Sequence, residues 1–364
     1  MENGLVISLD GMGGDHAPNI VVEGAWLARK KYPQAKFIIF GDEKKIGPLI
    51  KKHPGLEAVM ELRHTPDYVT SEDKPSVALR QGRNSSMRLA IDAVGNGEAH
   101  CVVSAGNTGA LMAMAKFVLK ALPGITRPAI ATYMPTKVAG HGVVMLDLGA
   151  NVECSPQNLL EFATLGGVFS REIMKTAEPR IGLLNVGSEQ MKGDETVKGA
   201  AELLEAAAHL PGKYIGFVEG DDISSGTVDV VVTDGFTGNI VLKAIEGTAK
   251  LLGSLVKQTL FSSWLGKFGT VLCLPGIAIA LPSFLSLKKR LDPNHYNGAS
   301  FMGLKGLCIK SHGGTNAVGF ANAIGVAAEM ALIQFNKKVA QELESMGIGS
   351  GSPALSVTEE TVPA

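Results

Sequence analysis

Short apolar runs alternate with longer amphipathic stretches almost from the start of the chain. Leu5–Leu9, Lys36–Phe40, Cys101–Ser104, Ala129–Met134, Val143–Asp147, Arg180–Asn185, Tyr214–Val218, Val228–Thr233 and Leu307–Ser311 read as β-strands. Several are apolar throughout, the pattern of strands covered on both faces. Helical spacing predicts helices near 18–31, 83–96, 108–121, 156–175, 193–208 and 316–345, with Pro18 and Pro156 where a first turn tolerates proline. This alternation predicts a three-layer α/β fold with a mostly parallel sheet, one catalytic domain spanning 1–346. In such a sheet ligands gather beyond the carboxyl ends of the strands, so the residues just after each strand are where chemistry is expected.

Two stretches break the pattern. From Gly347 the chain is small, polar and without period, which predicts a disordered tail over 347–364. The other is an insertion at about 240–290, expected to be a protruding helical hairpin. Ile240–Phe261 is helix-like, with Val241, Ile245, Leu252 and Leu255 apolar and Lys243, Lys250 and Lys257 recurring every seven residues along a polar stripe. After Trp264, Phe268–Leu287 carries no charge and is closed by Lys288, Lys289 and Arg290. Twenty residues at about 1.5 Å each just match a ~30 Å hydrocarbon core. However, Pro275, Gly276 and Pro282 interrupt the run, and a single crossing would part strands that belong to one sheet. The remaining readings are a hairpin packed on itself or in a dimer interface, and a lysine-striped element lying reversibly on a bilayer; the two are compatible.

Composition narrows the function. Lys+Arg number 34 against Asp+Glu 35, a net charge of −1 that argues against a nucleic-acid binder. Cys101, Cys154, Cys273 and Cys308 are widely scattered and form no C-x-x-C pair, which argues against a disulfide framework or a thiolate metal site and for a reducing, cytoplasmic setting. No metal or cofactor is expected. Glycine is the outlier, 44 of 364 residues against a usual share near 7%, and much of it sits at strand ends.

Those glycines sit in polar turns. After the first strand comes Asp10-Gly11-Met12-Gly13-Gly14-Asp15-His16, where a backbone without Cβ atoms can approach an anion beside a helix start. The spacing is not G-x-G-x-x-G, so a nicotinamide-binding reading, with Asp42 as ribose ligand, is weak. Asp15 and His16 can also be simple helix caps. Ser104-Ala105-Gly106-Asn107-Thr108-Gly109 repeats the device, with three polar side chains added. Asn185-Val186-Gly187, followed by Lys192-Gly193-Asp194-Glu195, offers a cation with capping acids. Asp234-Gly235-Phe236-Thr237-Gly238-Asn239 and His312-Gly313-Gly314-Thr315-Asn316 complete the set. Such turns at successive strand ends predict one shared polar pocket for a phosphate-bearing ligand.

Taken in order, ISLDGMGGDHAP (7–18), SAGNTGALM (104–112), DLGANVE (147–153), NVGSEQMKGDE (185–195) and DGFTGNIVLK (234–243) resemble the phosphate acyltransferase family of bacterial phospholipid synthesis, from about residue 5 to 345. The resemblance implies transfer of a fatty acyl group from an acyl carrier protein thioester to inorganic phosphate. It further implies a fold similar to phosphotransacetylase and isocitrate dehydrogenase, a homodimer, and reversible peripheral contact with the inner face of the cell membrane. Phosphate dianion is already a nucleophile and a pantetheine thiolate a fair leaving group, so positioning and oxyanion donors are required and an acyl-enzyme is not. On that basis Lys192 is expected to neutralise phosphate, Asn107 to hold the oxyanion, and His16 with Asp15 to orient the first loop. Gly13, Gly14, Ser104, Gly106, Thr108, Gly109, Asn185, Asp234, Gly238 and Asn239 would line the pocket. Lys243, Lys250, Lys257, Trp264, Lys288, Lys289 and Arg290 would meet the acidic carrier protein or anionic lipid.

Overall fold

The computed structural model describes residues 4–261 and 292–348. The expected tail beyond 348, the charge-free run 268–287, Trp264 and Lys288–Arg290 lie outside the described residues. Elements follow in order: β1 (Val6–Asp10), α1 (Asn19–Lys31), β2 (Lys36–Gly41), α2 (Glu43–Lys52), β3 (Met60–His64), α3 (Pro75–Gln81), α4 (Ser86–Gly95), β4 (Cys101–Ser104), α5 (Thr108–Leu119), β5 (Ala129–Pro135) and β6 (Gly142–Leu146). Then come α6 (Pro156–Glu172), β7 (Arg180–Leu184), α7 (Glu195–Ala206), β8 (Lys213–Val218), α8 (Asp222–Ser225), β9 (Val230–Val232), α9 (Gly235–Phe261), β10 (Ala299–Met302), β11 (Leu307–Lys310), α10 (Ala317–Leu332) and α11 (Phe335–Ser345).

The strands form one sheet in the order β3-β2-β1-β4-β11-β10-β5-β6-β9-β7-β8. Side-chain alternation divides each central strand between two cores: Ile7 and Leu9, Phe37 and Ile39, and Val144 and Leu146 face one, while Ile38 and Phe40 and Val143 and Met145 face the other. The first core is covered by α1, α2, α6, α7, α10 and α11, the second by α3, α4, α5, α8 and the start of α9. Burial on both faces is why these strands are apolar throughout, each such side chain contributing about 1.5–3 kcal/mol.

Strand direction changes midway. β3, β2, β1, β4 and β11 are mutually parallel; β10 pairs antiparallel with β11 and with β5, and β5 pairs antiparallel with β6. β6, β9, β7 and β8 are again parallel, but run opposite to the first block. The sheet is mostly parallel, as expected, yet it has two carboxyl rims on opposite edges.

Two further differences have local causes. The expected helix 316–345 breaks into α10 and α11, bent by 54°, where Gln334 takes a left-handed φ of 54°. The break lets Phe335 sink into the core edge-on to Phe169, with Val339 and Leu343 behind it. The strands β3 and β10 were not anticipated because one is an edge strand with alternating charge and the other, ASFM, is half small residues and lies between Gly298 and Gly303.

Candidate active site

β1 carries a carboxylate at the end of an apolar run. Asp10 is buried, and its oxygens accept from the hydroxyls of Ser86 and Ser104, both at 2.6 Å, and from the Met12 amide at 3.3 Å. Burial pushes its pKa up while these donors hold it back. Ser104 in turn accepts from the Gly106 amide at 3.0 Å. Gly13 lies inside this arrangement: a Cβ there would sit 2.2 Å from Asp10 Oδ2 and 2.8 Å from the Gly106 nitrogen. Only glycine fits.

The third loop closes the cradle. Lys310, at the end of β11, is 9% exposed, and its Nζ donates to the carbonyls of Ala105 at 3.1 Å and Ser311 at 2.5 Å. Burial brings its pKa down to about 8, against the pull of Asp10 and Asp15. The Asp15 amide donates to the Gly313 carbonyl at 3.0 Å. Thus the loops after β1, β4 and β11, three adjacent strands, are bonded to one another around Gly13, Gly14, Gly106 and Gly313. Asp15, His16, Thr108 and Gly109 are exposed at the mouth.

Asn107 caps α5. Its Oδ1 accepts from the Ala110 amide at 3.1 Å, and its Nδ2 donates to the carbonyls of Ser71 at 3.0 Å and Asp73 at 2.9 Å. Its side-chain donors are thus engaged in tying the 70–73 loop to α5. The first-turn amides of Asn107, Thr108 and Gly109 have no acceptor among the described residues and carry the positive end of the helix dipole.

The remaining expected residues lie on the opposite rim. Asp147, fully buried after β6, accepts from the amides of Ile130, Ala150 and Asn151 and from the Asn151 side chain. Here α9 starts: Asp234 accepts from Thr237, Gly238 sits where a Cβ would lie 1.9 Å from the Asp147 carbonyl oxygen, and Asn239 is exposed beside Gly149. After β7, Asn185 donates to the Lys192 carbonyl, while the exposed Lys192 ammonium pairs with Glu189 at 2.8 Å. Among the described residues no hydrogen bond or ion pair joins these loops to the Asp10–Lys310 cradle. The five turns thus fall into two groups, three bonded together at one rim and two at the other, because the second strand block runs the other way. From this rim α9 runs back across the sheet face, so that Lys243, Glu246 and Lys250 act electrostatically on His312 of the first rim. The Asp42 side chain caps α2 by accepting from Lys44, which leaves the ribose-ligand reading without support.

Sequence reasoning missed Asp10, Ser86 and Lys310. A single charge closing each of two apolar strands, VISLD and LCIK, was the available signal.

Residues 5–338 match the family model described as "Fatty acid synthesis protein". The chain is 57% identical over 356 residues to a phosphate acyltransferase of Rhodospirillum centenum, covering 98% of each, and 51% identical over 348 residues to one of Rhodospirillum rubrum, covering 96% of this chain and 97% of the other. Among solved structures it is similar to the EutD phosphotransacetylase from Staphylococcus aureus, with a TM-score of 0.58 at 18% identity over 90% of this chain and 94% of that one. A phosphotransacetylase from Streptococcus pyogenes gives the same TM-score and identity over 91% and 94%. These two likenesses speak for the fold.

Proposed function

The chain belongs to the fatty acid synthesis protein family, and from that membership we propose that it is an acyltransferase moving a fatty acyl group from an acyl carrier protein thioester to inorganic phosphate. The observation that carries this reading is the Asp10–Ser104–Lys310 cradle: glycine backbone, first-turn amides of α5 and a buried cation at one rim. A phosphate oxygen attacks the thioester carbon, the carbon–sulfur bond breaks, and the carrier leaves as thiolate while the acyl group leaves as acyl-phosphate. The cradle supplies alignment of two anionic partners, which is most of what this reaction requires.

Direct attack is supported by the state of the cysteines. Burial pushes Cys101 and Cys308 far up and raises Cys154 to about 11, so none of these three is a ready thiolate near neutral pH. In this reading Gly13, Gly14, Ser104, Gly106, Thr108 and Gly109 shape the phosphate and thioester site, with Asp15 and His16 at its mouth. Lys192 and Asn185 lie on the opposite rim and are not bonded to this cradle among the described residues. Mixing the protein with acyl carrier thioester and watching for free thiol tests the proposal: release that depends on phosphate supports it, and none with phosphate present overturns it.

The same reading includes a cytoplasmic homodimer in reversible contact with anionic membrane. It is supported by α9, on which Ile240, Ile245, Leu251, Leu252 and Leu255 are exposed alongside Lys243 and Lys250. Among the described residues no single helix is long and apolar enough to cross a membrane. Flotation with anionic and neutral vesicles, with and without carrier protein, separates lipid from protein as the partner of those lysines.

A further inference from the structure

His312 follows β11 directly, and the backbone around it is fixed from several sides. Its amide donates to Asn297 Oδ1 at 2.9 Å. Asn297 is buried, and its Nδ2 donates to the hydroxyls of Ser311 at 2.8 Å and Thr315 at 3.1 Å, so one side chain holds the loop at three residues, Ser311, His312 and Thr315. The carbonyl on the other side of the Ser311–His312 peptide accepts from Lys310. The loop is braced before any substrate arrives.

The imidazole is oriented as well. The Gly314 amide donates to His312 Nδ1 at 3.2 Å. A ring nitrogen that accepts a hydrogen bond carries no proton, so the proton of the neutral ring is on Nε2. Nε2 has no hydrogen-bond partner among the described residues, and the ring is open to solvent on the cradle rim. Protein packed on its inner side lowers its pKa below the ordinary 6.5; Lys310, Lys243 and Lys250 act in the same direction and Glu246 against them. The ring is therefore neutral near pH 7, with a single N–H donor facing outward. The Gly313 carbonyl, one residue on, is bonded to Asp15 of the first loop, which places this donor beside the glycine cradle.

Resting on the acyl-transfer reading, we propose that His312 is a further catalytic residue, a neutral imidazole whose Nε2–H donates to the thioester oxygen as negative charge builds on it. The proton stays on nitrogen throughout. The phosphate–carbon bond forms, the carbon–sulfur bond breaks, and the departing thiolate takes its proton from water. A neutral donor has a specific advantage here, because it stabilises the oxyanion without drawing the phosphate nucleophile into an ion pair.

Two substitutions separate this role from mere support of the loop. His312→Asn keeps an oxygen where Nδ1 accepts from Gly314 but has no atom at Nε2; His312→Gln carries an amide N–H out to the Nε2 position. Loss of a single oxyanion donor is worth about 10²–10³-fold in kcat. His312→Asn should fall by that factor in phosphate-dependent thiol release, with both KM values and the thermal midpoint retained, and His312→Gln should recover part of the loss. The inference is overturned if His312→Asn retains full kcat, if the loss is confined to KM, or if His312→Gln is the worse of the two. A natural chain that releases no thiol at all instead overturns the acyl-transfer reading on which the inference rests.

Discussion

Lys310 opposes folding at neutral pH, and the size of that opposition can be worked out. Its ordinary pKa is 10.5, and burial brings it to about 8 in the folded chain. At roughly 1.36 kcal/mol per unit, keeping it protonated inside the protein at pH 7 destabilises the fold by about 3 kcal/mol. Because the folded value lies below the unfolded one, the folded chain gives up the proton first as pH rises. The penalty is thus complete below pH 8 and fades between about 8 and 10.5; by pH 10 about 2.5 kcal/mol of it should be gone. Lys310→Met removes the titration while keeping the apolar stem. It also leaves the Ala105 and Ser311 carbonyls without their donor, at about 1–3 kcal/mol each, so its absolute stability is not diagnostic. The difference in pH dependence is, because the lost hydrogen bonds weigh similarly at both pH values and other groups titrate alike in both proteins. Urea unfolding of both proteins at pH 7 and pH 10 measures it: the natural chain should gain about 2.5 kcal/mol more than Lys310→Met between the two. Equal gains would refute the argument that this ammonium is held in a dry, unfavourable place. With the Lys310 tie to the Ala105 carbonyl lost and the loop after β4 held only by backbone pairing such as the Ser311 amide to Ser104, turnover should fall by about 10²-fold.

Cys154→Ser should leave turnover within about two-fold and no acyl group should be trapped on protein during steady state, since a thiol raised to about 11 is not the nucleophile; mass spectrometry of quenched reactions checks it. Gly238→Ala forces a Cβ to within 1.9 Å of the Asp147 carbonyl and should destabilise by about 1–3 kcal/mol. Gly247→Ala, in the same helix with open space around it, should instead stabilise by about 0.5–1 kcal/mol, so thermal midpoints should move in opposite directions. Lys192→Ala should leave the phosphate KM within about two-fold, because its ammonium faces Glu189 on the far rim and an exposed pair is worth little; a large rise in that KM would return Lys192 to the site.

The strand positions were legible because burial on both faces demands unbroken apolar runs, and Cys101–Ser104 appears with the bounds its composition suggests. Strand direction was not legible. Whether β5 and β6 form a hairpin or a crossover is decided by pairings such as Ala131 with Leu146, and no local signal separates the rims. That is why Asn107 and Lys192, alike as polar residues after a strand, end up apart. The glycine cradle could be read because Gly13 answers a steric demand that only glycine meets. Lys310 could not: a lysine ending a strand is ordinarily solvated, and only the loop after β4, whose Ala105 carbonyl the ammonium reaches, makes this one buried.

The long helix α9 begins wedged by Gly238 against one rim and passes within electrostatic reach of His312 on the other. At 1.5 Å per residue its 27 residues form a rod of about 40 Å, with Lys243 only about 8 Å from that wedge. It is geometrically a lever with a short inner arm and an outer arm some four times longer. A displacement at the outer end is, by that geometry, reduced to about a quarter at the point where the lysine's charge meets the imidazole.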